Sequence, residues 1–585
     1  MRHLLAGLRR LDPSLAEALL RHRERRWERV RAWLRLPAFR TTDVLAHLRD
    51  PAIAVPGLTV ARAYGDIVTG SVRLVDLPSV HAHANVLSLK AARAVGVQLQ
   101  RSVAAASATP AILRAGAPPG KTALDGSGVI VGIIDDGGDF AHANFRAANG
   151  SSRLLFLWDQ GAGKSDPQSP AEFSYGREFS GPTLTAALAK ADPYTTLGYQ
   201  PKPDGHGTHV MDIAAGNGRG TATPGVAPAA DLIFVQLGTS DTSEEESLGN
   251  SRRLLEAVEY IFLRARSLGR PAVVNLSIAM NGGPHDGTTL VERGFEHLLT
   301  EPGRAIVIAA GNMGDAGAHA SGTVTASAPR TLGWRIHSAD TSDNELEIWY
   351  SGASDLAVTI TAPTGESIGP VPPGATSELR IKNKVAVRVV SVRADPSNGD
   401  HQINAFLRRT APKGTWSIQL TSTGTVPFHA WIERDDFGRF RQSVFVEADR
   451  DITATLGTLG CGPTPIVVAA ADPDQAGLPA ASFSARGPTR AGGQKPDIVA
   501  PGVAITAARA RASGTIVLSG TSQAAPHIAG IVALMFQAAL PAMLPIATIR
   551  AALAATAMPV GAAWTSDRGH GHVNAVAAAE RVRHP

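Results

Sequence analysis

The sequence predicts a mixed α/β protein: a doubly wound, mostly parallel sheet with an N-terminal α+β unit and an inserted all-β sandwich. The apolar runs that indicate buried strands are 129–134, 231–237, 272–278 and 305–310. They alternate with helical segments such as 252–268, which is typical of a parallel, doubly wound sheet. Residues 320–454 instead contain many short alternating stretches separated by Pro, Gly, Asp and Asn, a pattern typical of a β-sandwich or jelly roll.

The N-terminal residues predict a helix followed by a small α+β unit. Asp12 and Pro13 indicate the start of the helix, because Asp caps helix N-termini and Pro fits the first turn. We interpret the basic run 21–26 as a solvated helix face rather than a docking surface. Strand-like patterns follow from 57 to 88. The four predicted segments are 1–108, 109–319, 320–454 and 455–585. The second and fourth form the α/β domain.

Composition bounds the class of protein. The 585 residues are 44% hydrophobic and 18% charged with a net charge of +5, which favours a soluble multidomain protein and gives no reason to expect nucleic acid as a partner. The single cysteine, Cys461, excludes an intrachain disulfide. No run is apolar and long enough to span a membrane, and the first residues show no secretory h-region. We therefore expect a cytoplasmic protein, with non-classical export as the alternative.

Four segments carry residue types suited to acyl transfer. Ser522 lies among small residues just before an apolar helical run, and a helix N-terminus favours negative charge. A serine nucleophile needs a base, and the base needs an orienting group. His206, which is flanked by glycines, is the candidate base, and Asp135, at the end of a buried strand, is the candidate acid. Asn312 follows another buried strand and can donate to a developing oxyanion.

In their order along the chain, which is acid, His, Asn and Ser, the four segments resemble the motifs of the subtilisin-like serine peptidases, the subtilases of the peptidase S8 family. Asp135 matches the acid in its Asp-x-Gly context, and His206 matches the base in His-Gly-Thr-His-Val. Asn312 matches the oxyanion donor in Ala-Ala-Gly-Asn, and Ser522 matches the nucleophile in Gly-Thr-Ser-x-Ala-Ala-Pro-His. The predicted β-insertion resembles the jelly-roll insertion of bacterial subtilases related to the clostridial spore-germination proteases.

The resemblance implies a serine endopeptidase that hydrolyses peptide bonds through an Asp-His-Ser triad and an acyl-enzyme, and that is made as a zymogen. Its implied partners are a polypeptide substrate and its own N-terminal prodomain, acting as an intramolecular inhibitor. The residues implied to line the substrate groove are Ser277, Ile278, Ala279, Ala309, Ala310 and Gly311. Ala279 stands where the family usually has glycine, a departure that bears on the width of the groove. No metal or other cofactor is expected, because no run resembles a calcium loop.

Two other functions stay open at this point: a non-catalytic subtilase that serves as a binding module, and a serine hydrolase that acts on esters or amides. The presence of Asp135, His206 and Ser522 together favours a peptidase. Asp136, Asp241 and the acidic run 244–246 suggest a preference for basic substrate side chains. The alternative is that the glutamates merely favour the start of the helix that follows.

Overall fold

The computed structural model describes residues 11–30, 41–97, 124–164, 168–203, 205–238, 249–433, 441–475 and 477–583. The chain divides into two compact units. The antiparallel unit comprises 1–93, 280–294 and 316–458, and the α/β unit comprises 94–279, 295–315 and 459–585. The four-segment division drawn from the sequence is finer than this one and stays a prediction.

The antiparallel unit begins with a helix and a four-stranded sheet. The elements are α1 Pro13–Val30, β1 Thr41–Leu48, β2 Leu58–Tyr64, β3 Ile67–Arg73, α2 Leu77–His81 and β4 Val86–Ala91. The Asp12 carboxylate caps α1 by accepting the Leu15 N–H at 3.2 Å. The strand order is β2-β3-β1-β4, and every neighbouring pair is antiparallel.

The α/β unit contributes most of the elements that follow along the chain. They are β5 Ala94–Val97, β6 Ile130–Asp135, a 3₁₀ turn Ala143–Phe145, β7 Leu154–Lys164, β8 Tyr175–Ser180, α3 Gly181–Leu188, α4 Pro193–Leu197, α5 His206–Ala215, β9 Asp231–Gln236, β10 Gly249–Asn250, α6 Ser251–Ser267, β11 Ala272–Leu276, β12 Ile278–Ala279, α7 Leu290–Leu298 and β13 Arg304–Ala309. Helix α6 begins at its cap residue, Asn250, whose side chain accepts the Arg253 N–H at 3.1 Å.

Two antiparallel sheets occupy the stretch that follows. Their strands are β14 His319–Val324, β15 Arg330–Ile336, β16 Asn344–Tyr350, β17 Ala357–Thr361, β18 Ser367–Val371, β19 Thr376–Ile381, β20 Lys384–Val392, β21 His401–Leu407, β22 Gly414–Thr421, β23 Val426–Ile432 and β24 Val444–Phe445. One sheet has the order β14-β23-β16-β21-β20-β19, and the other has the order β18-β17-β22-β15-β24. Trp334 and Trp416, which face each other on β15 and β22, are fully buried.

The C-terminal part of the chain completes the α/β unit. Its elements are β25 Ile466–Ala471, β26 Ile498–Pro501, β27 Ile505–Ala508, β28 Thr515–Leu518, α8 Thr521–Ala539, α9 Ile546–Thr556 and α10 Ala575–Arg583. The main sheet has the order β26-β25-β13-β11-β6-β9-β7-β8, and all neighbours are parallel except β7 and β8. Strands β6, β11 and β25 are buried at every residue, as in a parallel sheet covered on both faces. The prediction of a mixed α/β fold is confirmed.

The antiparallel unit has an apolar core of its own. Helix α1 and the four-stranded sheet bury Leu15, Leu19 and Val44 in the same cluster as Val390 and Phe406. Charged groups are buried here too. Glu17 of α1 pairs with Arg388 at 2.5 Å and with Arg408 at 2.6 Å. The N-terminal residues and strands β20 and β21 therefore form one folded body.

No helix in the described part of the chain combines the length and the apolar character needed to cross a bilayer. Nor do the described residues contain a group of three or more His, Cys, Asp or Glu side chains arranged to hold a metal ion.

Candidate active site

Asp135 and His206 meet at the carboxyl edge of the parallel sheet. Strand β6 ends at Asp135 and helix α5 begins at His206, with 2.7 Å between Asp135 Oδ1 and His206 Nδ1. Both side chains are buried. Since the carboxylate accepts the Nδ1 proton, the lone pair of Nε2 is left to act as a base. Burial raises the pKa of Asp135, and the contacts with His206 and the Asp136 N–H oppose that rise.

Small residues allow the two elements to approach closely. A Cβ atom added to Gly205 would lie 2.3 Å from the Gly137 carbonyl oxygen, so the start of α5 packs directly on the loop after β6. Thr208 Oγ1 donates to the same carbonyl oxygen at 2.7 Å and accepts the Asp139 N–H at 2.8 Å. The His-Gly-Thr-His motif thus fixes the position of the base relative to the acid.

Ser522 lies in the first turn of helix α8 and is buried. Its Oγ donates to the Ser277 carbonyl oxygen at 3.1 Å, and Ser277 Oγ donates to the Ser522 carbonyl oxygen at 2.9 Å. Ser277 joins β11 to β12. The reciprocal bonds fix the start of α8 against the sheet, where the helix N-terminus favours a developing negative charge.

Asn312 follows β13 and is bound to the residue before Ser522. Its Oδ1 accepts both the N–H and the hydroxyl of Thr521, each at 2.9 Å. These bonds assign the oxygen end of the amide, so that the NH₂ end points away from Thr521. Gly311 adopts a φ of +109° that favours glycine, and its N–H donates to Thr521 Oγ1 at 3.2 Å. These hydrogen bonds place the predicted oxyanion donor, Asn312, against the residue that precedes the predicted nucleophile, Ser522.

Two further histidines in these motifs have structural contacts. His209 Nε2 lies 3.0 and 3.2 Å from the carbonyl oxygens of Ile505 and Ile516. Burial lowers its pKa to about 3, so that it stays neutral and donates to them. His527 Nδ1 contacts the Gln523 carbonyl oxygen at 2.8 Å, and burial lowers its pKa to about 4.

The sequence pattern does not mark Gln523, the residue after the candidate nucleophile, as functional. Its side-chain nitrogen lies 3.4 Å from His206 Nε2, the atom proposed to act as base. No sequence signal marks it, because successive helical residues point in different directions and the contact with His206 joins positions 317 residues apart.

Strand β12, which contains the predicted groove residues Ile278 and Ala279, pairs with another strand of the same chain. Strand β5 lies between β10 and β12 and pairs antiparallel with both. Gly96 faces Ala279 and Val97 faces Ile278, while Val95 is fully buried. The other predicted groove residues, Ala309, Ala310 and Gly311, are buried at the end of β13.

The acidic residues that suggested basic substrates divide into two groups. Asp136 pairs with Lys202 at 2.7 Å and accepts the Gln236 side-chain amide at 2.8 Å. Asp241 and the run 244–246 lie outside the described residues.

Comparison with known proteins decides the family. The model of the subtilase family, Peptidase S8, matches residues 126–577, which is more than half of the chain. The chain belongs to the subtilase family. The predicted resemblance is confirmed. The members of this family are subtilisin-like serine endopeptidases, which are hydrolases.

Relatives of this subtilase include a lactococcal proteinase and a solved clostridial structure. The PIII-type proteinase of Lactococcus lactis subsp. cremoris (strain SK11) is 26% identical over 82% of this chain and 25% of its own length. The chain therefore spans about a quarter of that relative. The structure of the Clostridium perfringens CspB protease has 26% identity and a TM-score of 0.68, and the match covers 79% of this chain and 96% of that one.

The prediction of a cytoplasmic protein is wrong. The lactococcal proteinases and the subtilisin-like protease SBT5.4 of Arabidopsis thaliana are cell-wall or extracellular proteinases, which points to an extracellular protein. The prediction rested on the lack of a secretory h-region and of a membrane-spanning run, and neither absence reports the compartment of a protein.

Proposed function

We propose that this subtilase is a serine endopeptidase, with Ser522 as nucleophile, His206 as base and Asp135 as orienting acid. The observation that carries the proposal is the buried contact of 2.7 Å between His206 Nδ1 and Asp135 Oδ1. This contact leaves His206 Nε2 to take the proton from Ser522 Oγ as that oxygen attacks a peptide carbonyl.

The reaction then follows from the same groups. The proton on His206 Nε2 passes to the leaving amine as the C–N bond breaks, and the acyl group stays on Ser522 Oγ. Water attacks the acyl-enzyme with His206 again as base, which releases the acid product and restores the serine. Asp135 holds the ring orientation and stabilises its charged form throughout.

The Asn312 amide and the Ser522 N–H are proposed to receive the oxyanion. Thr521 anchors the oxygen end of the Asn312 amide through two hydrogen bonds. The NH₂ end therefore needs no reorganisation when charge develops on the carbonyl oxygen.

Residues 1–108 are proposed to act as an inhibitory prodomain. The supporting observation is that β5, which lies within this segment, pairs with β12 as an extended peptide substrate would. A chain segment in that place blocks the groove until it is cleaved or displaced.

Peptide and ester assays on one preparation test the proposed activity. We expect wild-type protein to cleave interior bonds of a fluorescent peptide library and Ser522→Ala to cleave none. Hydrolysis of matched esters without peptide cleavage would contradict the assignment as a peptidase.

A substitution in β5 tests the inhibitory role. Gly96→Pro removes a backbone N–H and disturbs the pairing with Ala279, so peptide cleavage before processing should rise. The same change in the Ser522→Ala background should show no activity. Unchanged cleavage by the active Gly96→Pro protein would exclude inhibition through this strand.

A further inference from the structure

Asp212 is a buried carboxylate on helix α5, about two turns after the candidate base His206. One oxygen, Oδ1, accepts the Asn144 side-chain amide at 2.5 Å. The other, Oδ2, accepts the Ala508 backbone N–H at 2.8 Å. Each oxygen therefore binds a donor on a different segment of the α/β unit.

The second of these segments leads to the nucleophile. Ala508 ends β27, which pairs with β28, and β28 ends at Leu518, just before Ser522. His209, one turn before Asp212, donates to Ile505 and Ile516 of the same hairpin. Ile213 packs against Ile505 and Ala507. One face of α5 thus contacts β27 at three residues and β28 at Ile516.

The first segment lies beside the loop after β6. Asn144, fully buried, also donates to Thr221 Oγ1 at 2.7 Å and accepts the Gly220 N–H at 2.6 Å. The carboxylate is fitted closely into this space: a Cβ atom added to Gly216 would lie 1.7 Å from Asp212 Oδ1. Gly216 has an ordinary extended backbone that any residue can adopt. Glycine is needed there because a side chain would collide with the Asp212 carboxylate.

We propose that Asp212 is a positioning residue for the acyl-transfer reaction, which ties the hairpin that leads to Ser522 to the helix that carries His206. The inference rests on the proposed peptidase activity. Asp212 touches neither the substrate nor the reacting atoms. It acts by fixing the distance between two elements, each of which carries one reacting group.

The protonation state of Asp212 decides whether it can do this. The ionised carboxylate accepts strongly from both donors, whereas the neutral acid has one hydroxyl oxygen that is a weaker acceptor, so one of the two hydrogen bonds is weakened. Burial raises the pKa of Asp212 to about 6, and the bonds from Asn144 and Ala508 and the charge of Arg153 oppose that rise. Among the charged and titratable groups on the surrounding elements, Arg153 acts on Asp212 through its charge and donates to the Asn144 carbonyl oxygen. His142 accepts the Asn144 N–H, His209 contacts Ile505, and Asp139 accepts the Arg511 N–H beyond β27.

Replacement of Asp212 is expected to affect stability and activity differently. Because the folded-state pKa is raised, ionisation of Asp212 costs stability as the pH rises through about 6. Asp212→Asn removes that cost and one hydrogen bond, so the Tm near neutral pH should not fall. A purely structural role would instead predict a lower Tm.

The test is kinetic and uses the self-processed full chain, with active sites counted by a fluorophosphonate probe. Asp212→Asn should lower kcat about 10²-fold with KM little changed, since misplacement of the reacting groups by about 1 Å costs that much. On the acid side, log(kcat/KM) should fall more steeply in wild type, where Asp212 takes up a proton, than in Asp212→Asn, which lacks that group.

Two further variants separate positioning from general damage. Gly216→Ala displaces the same carboxylate without removing its charge and should lower kcat in the same way. Asp497→Asn removes a partly buried carboxylate that binds Lys495, Arg550 and the Val467 N–H, and should leave kcat per labelled site unchanged.

Hydrogen exchange provides a readout that does not need activity. In the Ser522→Ala background, Asp212→Asn should speed exchange of the amides of residues 505–518 by about tenfold or more relative to Asp497→Asn. Wild-type kcat and unchanged exchange in Asp212→Asn would overturn the inference. If wild type neither labels nor cleaves, the proposed function fails, and the exchange result alone decides whether Asp212 holds the hairpin.

Discussion

Buried charges serve different purposes in the two units. In the antiparallel unit they are paired: Glu17 binds Arg388 and Arg408, and Lys90 binds Asp395. In the α/β unit the buried Asp135 binds His206 through Oδ1, while its Oδ2 has no hydrogen-bond partner among the described residues. Fully paired charges fix elements in place, whereas an acid with an unused oxygen beside a histidine is typical of a site built for proton transfer.

The first way to sharpen this comparison is to remove the nucleophile. Ser522→Ala should lower kcat about 10⁶-fold, a magnitude that was measured on subtilisin itself. Hydrogen exchange of the antiparallel unit should not change, because Ser522 belongs to the α/β unit. Residual activity within about tenfold of wild type would remove Ser522 from the mechanism.

The second is to separate the two ends of the Asn312 amide. Asn312→Asp keeps an oxygen to accept from Thr521 but loses the NH₂ donor, so kcat should fall about 10²–10³-fold, again a figure known from subtilisin. Thr521→Val removes one anchor and keeps the donor, and it should cost much less. Equal losses in both variants, measured as kcat per active site, would mean that the anchor matters and the donor does not.

The third addresses the paired charges of the antiparallel unit. Glu17→Gln leaves Arg388 and Arg408 buried without their acid and should lower the free energy of unfolding by about 3 kcal/mol. Hydrogen exchange of β20 and β21 measures this. Asp355→Asn, at an exposed pair with Arg393, is the control and should show almost no change.

The same pair predicts a pH dependence. Burial alone would raise the pKa of Glu17, but Arg388, Arg21 and Arg408 hold it below its ordinary value of 4.5. Because the folded-state pKa is lowered, the stabilisation is present above pH 4.5 and is lost as the pH falls toward the folded-state pKa. Wild type should therefore lose this stability in acid, and Glu17→Gln should show a flatter profile.

The smallest effect is expected at the surface. Lys202, whose side chain is 68% exposed, pairs with Asp136 next to the candidate acid. Lys202→Ala should change the free energy of unfolding by less than about 0.5 kcal/mol in thermal unfolding, because exposed ion pairs contribute little. A larger loss would mean that Asp136 supports the catalytic edge through Lys202.

Local pattern was enough to predict the sheet and the four candidate catalytic residues. The strand predicted at 129–134 is observed as β6, and the helix predicted at 252–268 is observed as α6. The strand is predicted because burial on both faces leaves a continuous apolar run, and the helix because burial of one face leaves apolar residues at helical spacing. Asp135 and Asn312 follow such strands, where ligand-binding residues of open α/β sheets lie.

Partners distant in the sequence could not be predicted. Asp212 lies 296 residues from Ala508, and Glu17 lies 371 residues from Arg388. Hydrophobic periodicity reports that a position is buried but does not report which donor meets it there. The pairing of β5 with β12 could not be predicted for the same reason. Both strands are short, and a short strand can pair with the edge of many other strands.

Intact-mass analysis with a fluorophosphonate probe tests the central claim most directly. We expect wild-type protein to take up one probe, and His206→Ala and Ser522→Ala to take up none, because only a serine activated by the His206–Asp135 pair attacks the probe. Labelling of the Ser522→Ala protein, or a folded wild type that stays unlabelled after residues 1–108 have been removed, would contradict the assignment of this triad.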